Sequence, residues 1–239
     1  RRVAGEAGAA TVVINGAILC PVATVEEMSP ELWDRVIAVN LRGAFLITQA
    51  FLPGMRAAGR GTFVNMVSTE GMPGLTAYIA SKQGLLGFTQ SLAAELGEGG
   101  IRAVAFYPGM VETPGLLAVS EKLAPLLGMT PEAFRSVSLH PAYPGLMPAE
   151  HAGLAAAYLV ARLASEYHGE SVSAYEVLER AGFLPAERRD AAGRPAGASP
   201  GDLLAKARRL AAILEEMAAD FERLPLFVRP LARAGFKRK

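Results

Sequence analysis

Tyr78 and Lys82 are the two residues of this chain whose types and spacing could do chemistry together. Four positions apart in a helix, they share one face, about 6 Å from each other along the axis. An ammonium beside a phenol favours the phenolate. The pairing therefore predicts a lowered tyrosine pKa and a proton donor usable near neutral pH. In a chain with six tyrosines the same spacing also arises on solvated helix faces, so position has to separate this pair from chance. Upstream, Thr62-Phe63-Val64-Asn65-Met66-Val67 reads as a buried strand that ends in a hydroxyl residue, Ser68. Downstream, a long helix is followed by a second strand pattern, Ile101 to Tyr107, closed by Pro108-Gly109. Strand alternation directs Ser68 the same way as Met66 and Val64, which favours it over Thr69 as the hydroxyl facing the pair.

The elements that must hold these residues can be read along the chain. Thr11-Val12-Val13-Ile14 has the continuous apolar character of a buried parallel strand and stops at the turn Asn15-Gly16-Ala17. Ser29 and Pro30 supply an N-cap and a first helical position, and the helix runs to a Gly59 stop. Its apolar residues lie on more than one face, so it is expected to pack against the sheet and against something else. Asn40 sits within it among Val39, Leu41 and Phe45, where a buried amide costs stability unless it is hydrogen-bonded. The tyrosine helix spans about Thr76 to Glu98, with Ala80, Gly84 and Gly87 permitting close packing and Gly97, Gly99 and Gly100 ending it. Leu116 to Tyr143 should form short helices broken by prolines. Another helix follows from Pro148 to Ser165, then a last strand within Gly169–Ala174. Strands alternating with helices make this an α/β chain built on a parallel sheet. The expected division is a domain over residues 1–184, a linker over 185–201 rich in Ala, Gly, Pro and Arg, and a helical basic tail over 202–239.

Composition narrows the function. A net charge of +1 over 239 residues gives no basic face of the kind nucleic-acid binding needs. No uninterrupted apolar run reaches the length of a membrane span, and Arg1-Arg2 is not followed by the apolar stretch of a signal peptide. The single cysteine, Cys20, cannot form an internal disulfide; it reads as a bystander thiol, and a cytoplasmic location is the expectation. His140, His151 and His168 lack metal-ligand spacing, so no metal site is expected. Anionic-surface binding by the tail ending Lys237-Arg238-Lys239 is less expected than a plain solvated terminus.

The run AYIASKQGLLGFTQSLAAELGEGGIRAVAFYPGMVETP resembles the short-chain dehydrogenase/reductase family over its whole length. The resemblance implies a Rossmann-like parallel sheet flanked by helices, to which the helical C-terminal extension over 202–239 would be an addition. It implies NAD or NADP as cofactor, a small alcohol or carbonyl as substrate, and catalysis by Asn40, Ser68, Tyr78 and Lys82. Tyr78 would pass the proton, Lys82 would tune it and reach the nicotinamide ribose, Ser68 would orient the carbonyl, and Asn40 would anchor a relay water. Cofactor contacts are implied for Asn15, Gly16, Ala17, Tyr78 and Lys82, and for the loop residues Pro108, Gly109, Val111 and Thr113. Homo-oligomers through the helices around Asn40 and Tyr78 are implied too. The chain departs from the family in three places. Ile14-Asn15-Gly16-Ala17 stands where an Asn-Asn-Ala-Gly turn is usual, the loop between Ser68 and Tyr78 is short, and no Gly-rich phosphate-binding turn follows a strand before Asn15. The last departure removes any basis for choosing NAD or NADP and suggests a piece of a longer enzyme. The alternative from another class is a non-catalytic binding or scaffold protein that keeps the fold without the dinucleotide site.

Overall fold

The computed structural model describes residues 11–68 and 71–184. The linker and helical tail expected beyond residue 184, together with Thr69, lie outside those residues. The chain divides into two compact units, 1–174 and 175–239.

In the first unit, four strands form one parallel sheet in the order β1 (Val12–Asn15), β2 (Gly61–Met66), β3 (Ile101–Tyr107), β4 (Ser171–Ser173). Register pairs Asn15 with Asn65 and Asn65 with Ala105 across the three longer strands. The central strands are buried along almost their whole length, with Phe63, Val64, Ala103, Val104, Ala105 and Phe106 fully enclosed. That enclosure is why they read as unbroken apolar runs rather than as alternation.

Three helices begin with the same two-residue grammar. Ser29-Pro30 opens α1 (Pro30–Ile37), Thr113-Pro114 opens α4 (Pro114–Leu126), and Thr130-Pro131 opens α5 (Pro131–Arg135). In each, the hydroxyl accepts a backbone N–H of the first turn while proline fills a position that needs no donor. After α1 the helix widens into a π turn, Ala38–Arg42, and continues as α2 (Gly43–Ala58) to a left-handed Gly59. α3 (Thr76–Leu96) carries the Tyr78–Lys82 pair. α6 (Ala149–Tyr158), followed by a second π turn at Leu159–Leu163, returns the chain to β4. The last described helix is α7 (Ala174–Arg180), whose residues from Tyr175 on belong to the second unit, as does the turn after it.

Phe51 and Met55 of α2 and Leu92 and Ala93 of α3 pack with Val13, Phe63, Ile101 and Ala103 of the strands, forming one core layer. Ala44, Leu85, Val67 and Ala105 form a second patch nearer the strands' C-terminal ends. The continuous helix Pro30–Ala58 also corrects the sequence reading on one point. Its most apolar 18-residue window has a mean hydropathy of 1.4, so by length and composition it is long and apolar enough to cross a membrane. Counting uninterrupted apolar runs missed it because Asn40 and Arg42 break the run without lowering the average enough. Its buried residues Val36, Asn40, Ala44, Thr48, Phe51 and Met55 make it a layer of the α/β core.

Candidate active site

All four strands are parallel, so their C-terminal ends share one edge of the sheet, where ligands of open α/β sheets bind. At this edge lie Asn15, the last residue of β1, with Gly16 and Ala17 after it, Ser68 after β2 and Pro108–Thr113 after β3. Every candidate residue named from the sequence other than Asn40, Tyr78 and Lys82 is among them.

Lys82 is fully buried at this edge. Its Nζ donates to the carbonyl of Met66 at 2.8 Å and to that of Ala17 at 3.2 Å, joining the ends of β2 and β1. An ammonium has three N–H bonds, so one remains for a further acceptor. Burial pulls the Lys82 pKa down to about 8, with the Cys20 thiol acting in the opposite direction. The ammonium sits 5.8 Å from the centre of the Tyr78 ring.

The spacing argument predicted a lowered tyrosine pKa; the structure gives the reverse. Burial raises the Tyr78 phenol to about 12, the Cys20 thiol raises it further, and a hydrogen bond with Ser68 is what lowers it. The helical spacing is as expected, but the Lys82 charge is committed to two carbonyls and desolvation of the phenol dominates. Ser68 and Tyr78 are thus brought together, both half-buried.

Asn40 is buried in the π turn, 2 % exposed. Its Nδ2 donates to the Leu19 carbonyl at 2.9 Å and to Ser81 Oγ at 3.0 Å, and its Oδ1 accepts the Leu19 N–H at 2.8 Å. Ser81 Oγ in turn donates to the Tyr78 carbonyl at 2.6 Å. Both amide hydrogens of Asn40 are therefore in use, tying the loop after β1 to the first turns of α3. Asn15 Nδ2 donates to Asn65 Oδ1 at 2.7 Å across the β1–β2 pair, tying the two strand ends together. Gly16 and Ala17 lie exposed over the strand end.

The loop after β3 is fixed by Met147. Glu112 N–H donates to the Met147 carbonyl, and Met147 N–H to the Met110 carbonyl, each at 2.8 Å. Backbone groups alternate in direction along an extended segment, so the N–H and C=O of Val111, between those two residues, face away from Met147. Gly109 turns the loop with φ 79°, a conformation that costs most side chains free energy. Thr113 caps α4 by accepting the Leu116 N–H at 3.2 Å, which leaves its hydroxyl hydrogen free to donate. An outward N–H and C=O on Val111, a Thr113 hydroxyl and the third N–H of Lys82 suit a nicotinamide carboxamide and its ribose. Among the described residues these groups fit only the nicotinamide end of the dinucleotide.

Sequence reasoning missed Cys20. Its thiol lies close enough to Lys82 and Tyr78 to shift both, and burial raises its own pKa to about 11. It packs with Tyr78, Met110 and Val22 on an apolar wall made by Leu75, Leu123, Ala124 and Phe134. The available signal was its place three residues beyond Ala17, whose carbonyl holds Lys82. Asn65 and Thr89 were missed as well; Asn65 Nδ2 donates to Thr89 Oγ1 at 2.8 Å, and both side chains are fully buried.

The family model described as short chain dehydrogenase matches residues 1–124. The chain is 41 % identical over 110 residues to a D-beta-hydroxybutyrate dehydrogenase of Cupriavidus necator, covering 45 % of this chain and 43 % of that protein. It is 43 % identical over 126 residues to a (3R)-3-hydroxyacyl-CoA dehydrogenase of Canis lupus familiaris, covering 51 % and 49 %. The chain thus spans less than half the length of these curated relatives. Among solved structures, a variant of actinorhodin polyketide ketoreductase with NADPH superposes with a TM-score of 0.64 at 31 % identity, over 72 % of this chain and 68 % of that one. A 4-hydroxyisoleucine dehydrogenase with NADH, 22 % identical over 72 % of this chain and 70 % of that one, shares the fold at a TM-score of 0.57. With the parallel sheet, the tyrosine helix and the loop after β3 all in place, the chain belongs to the short-chain dehydrogenase family.

Proposed function

We propose that this chain carries the reacting side chains of an NAD(P)-dependent oxidoreductase that interconverts a small alcohol and its ketone or aldehyde. The observation that carries the reading is the meeting of Ser68, Tyr78 and Lys82 at one strand end, on the sheet edge from which the loop carrying Val111 leaves β3. When bound, the nicotinamide supplies or accepts the hydride. In the reducing direction the carbonyl carbon gains that hydride while Tyr78 Oη gives its proton to the carbonyl oxygen, forming the alcohol. A phenol pushed up to about 12 is protonated throughout the physiological range, the form this step requires. Ser68 holds the carbonyl oxygen beside the phenol. Lys82 would offer its one remaining N–H to the cofactor ribose, with its charge 5.8 Å from the centre of the Tyr78 ring. Because the Asn40 amide hydrogens are committed, a relay water at Asn40 would hang on its backbone rather than on its amide nitrogen.

The apolar wall of Leu75, Leu123, Ala124 and Phe134 beside Tyr78 supports a substrate with an apolar body. Relatives named for hydroxybutyrate, hydroxysteroid and hydroxyacyl-CoA substrates agree with a secondary alcohol. A homo-oligomer is part of the same reading: Val39, Phe45, Leu46 and Ile47 on the π turn and α2 are exposed apolar side chains, and Phe45 stacks edge-on with Phe88 of α3. The test is titration of the chain with NADH and with NADPH, following nicotinamide fluorescence, and then turnover of a panel of 3-hydroxy acids and ketones. Saturable binding with turnover supports the proposal. Binding of neither nucleotide by the folded chain would overturn it in favour of a non-catalytic role.

A further inference from the structure

The Lys82 ammonium is held by carbonyls from two different strands, so its position depends on how far apart those strand ends sit. Strand pairing sets that distance only as far as Asn15 and Asn65, the last residues of the β1–β2 register. Ala17 lies two residues beyond one, Met66 one residue beyond the other. At that final rung the two side chains are joined, Asn15 Nδ2 to Asn65 Oδ1 at 2.7 Å. The chain of bonds then leaves the sheet: Asn65 Nδ2 donates to Thr89 Oγ1 at 2.8 Å, and Thr89 Oγ1 donates to the Leu85 carbonyl at 2.7 Å. Thr89 is seven residues, close to two turns, beyond Lys82 on α3, so both side chains face the sheet about 10 Å apart along the helix. α3 is therefore fastened to the same pair of strands at two heights, once by the ammonium and once by the hydroxyl.

We propose that Asn65 and Thr89 are positioning residues for Lys82: the side-chain series Asn15–Asn65–Thr89 sets the separation of the two strand ends that hold the ammonium, and the helix phase that aims it. Every polar side-chain atom of Asn65 and Thr89 is bonded within the series or to Leu85, and both residues are fully buried. In such surroundings an amide or hydroxyl left without its partner is costly, so the series resists slack. The charged or titratable groups facing Lys82 are the Cys20 thiol and the Tyr78 phenol; neither belongs to the series. Loosening the strand ends admits water to the ammonium and relieves the desolvation that depresses its pKa.

The inference rests on the role given to Lys82 above, but its test does not use turnover. Lysine labelled with carbon-13 at Cε gives an NMR titration curve for Lys82, assigned by the signal lost in Lys82→Met. Thr89→Val keeps the shape and removes the hydroxyl; Thr89→Ser keeps the hydroxyl. The Lys82 midpoint should lie at about 8 in the unaltered chain and in Thr89→Ser. In Thr89→Val it should rise by about half a pH unit or more. Asn65→Ser, too short to span both partners, should move it the same way and serves if Thr89→Val fails to fold. Midpoints in Thr89→Val and Asn65→Ser equal to that of the unaltered chain would overturn the proposal and leave the series as core packing alone. Nucleotide binding, measured separately, reports on the oxidoreductase reading whichever way the titration falls.

Discussion

Tyr78 stands between two kinds of neighbour. Toward the sheet its surroundings are polar and individually specified: Ser68 bonds its phenol, Ser81 bonds its carbonyl, and Lys82 sits below the ring with its hydrogens on two named carbonyls. Toward α4 and α5 they are apolar, a wall of Leu75, Leu123, Ala124 and Phe134 to which Cys20, Met72, Met110 and Leu116 add side chains. Hydrogen bonds on the first side demand one partner each at a fixed distance. Contacts on the second side demand only volume and can be remade by other apolar residues. On the proposed function, the chemistry lies on the side of the molecule that tolerates least change, and the fit to a substrate body on the side that tolerates most.

Breaking the polar side should have the largest effect. Tyr78→Phe removes one oxygen and should lower turnover by about 10²-fold or more while leaving nucleotide affinity nearly unchanged, as read from initial rates and fluorescence titration. Equal activity in that variant would end the assignment of the proton donor. On the apolar side, Leu123→Ala opens a cavity at a residue only 1 % exposed and should cost about 2–5 kcal/mol in urea unfolding. It should also change the ranking of substrates more than the rate on the smallest of them. A variant that lost rate equally on all substrates would erase the distinction between the two sides.

The titrating groups sharpen the contrast because both sides contribute. Lys82 falls from 10.5 to about 8, so between those values the unfolded chain holds a proton that the folded chain lacks, and stability rises with pH. Cys20 rises from 9.0 to about 11 and Tyr78 from 10.0 to about 12. Across their windows the folded chain holds the extra proton, and stability falls with pH. The contribution of the three groups should therefore rise between pH 8 and 9, level off between 9 and 10, and decline above 10. Urea midpoints followed through that range check it, and Lys82→Met should abolish the initial rise. The smallest effect concerns Cys20, the chain's only cysteine. Its alkylation by iodoacetamide, followed by mass, should keep accelerating with pH toward 11 rather than levelling near 9 as an exposed thiol would.

What could be read from the sequence follows the same division. β2, α3 and β3, with Ser68, Tyr78 and Lys82 upon them, were legible because strand patterns and an i, i+4 pair are local properties. The cap at Ser29 belongs to the same class, whereas those at Thr113 and Thr130 emerged only from the structure. Asn65 was read only as a strand residue, because its partners lie 50 and 24 positions away and nothing local marks an amide as paired. Cys20 was set aside for a similar reason, its neighbours Tyr78 and Leu123 being brought to it only by the fold. The sign of the Tyr78 shift was unreadable because it depends on burial, and spacing carries no information about burial.

The π turn in the helix before β2 has one more consequence. Buried positions there recur at Val36, Asn40, Ala44 and Thr48. In an ordinary α-helix each such step of four overshoots a full revolution by about 40°, so three steps would carry the stripe about 120° around the cylinder. The turn at Ala38–Arg42 holds one residue more than its length in α-helix would, and this winds the stripe back. Pro30–Ala58 is thus two helices of different phase sharing one axis. A residue inserted or deleted before Ala38 would re-aim Val36 and α1 alone, whereas the same change after Arg42 would rotate every inward side chain of α2 off the sheet.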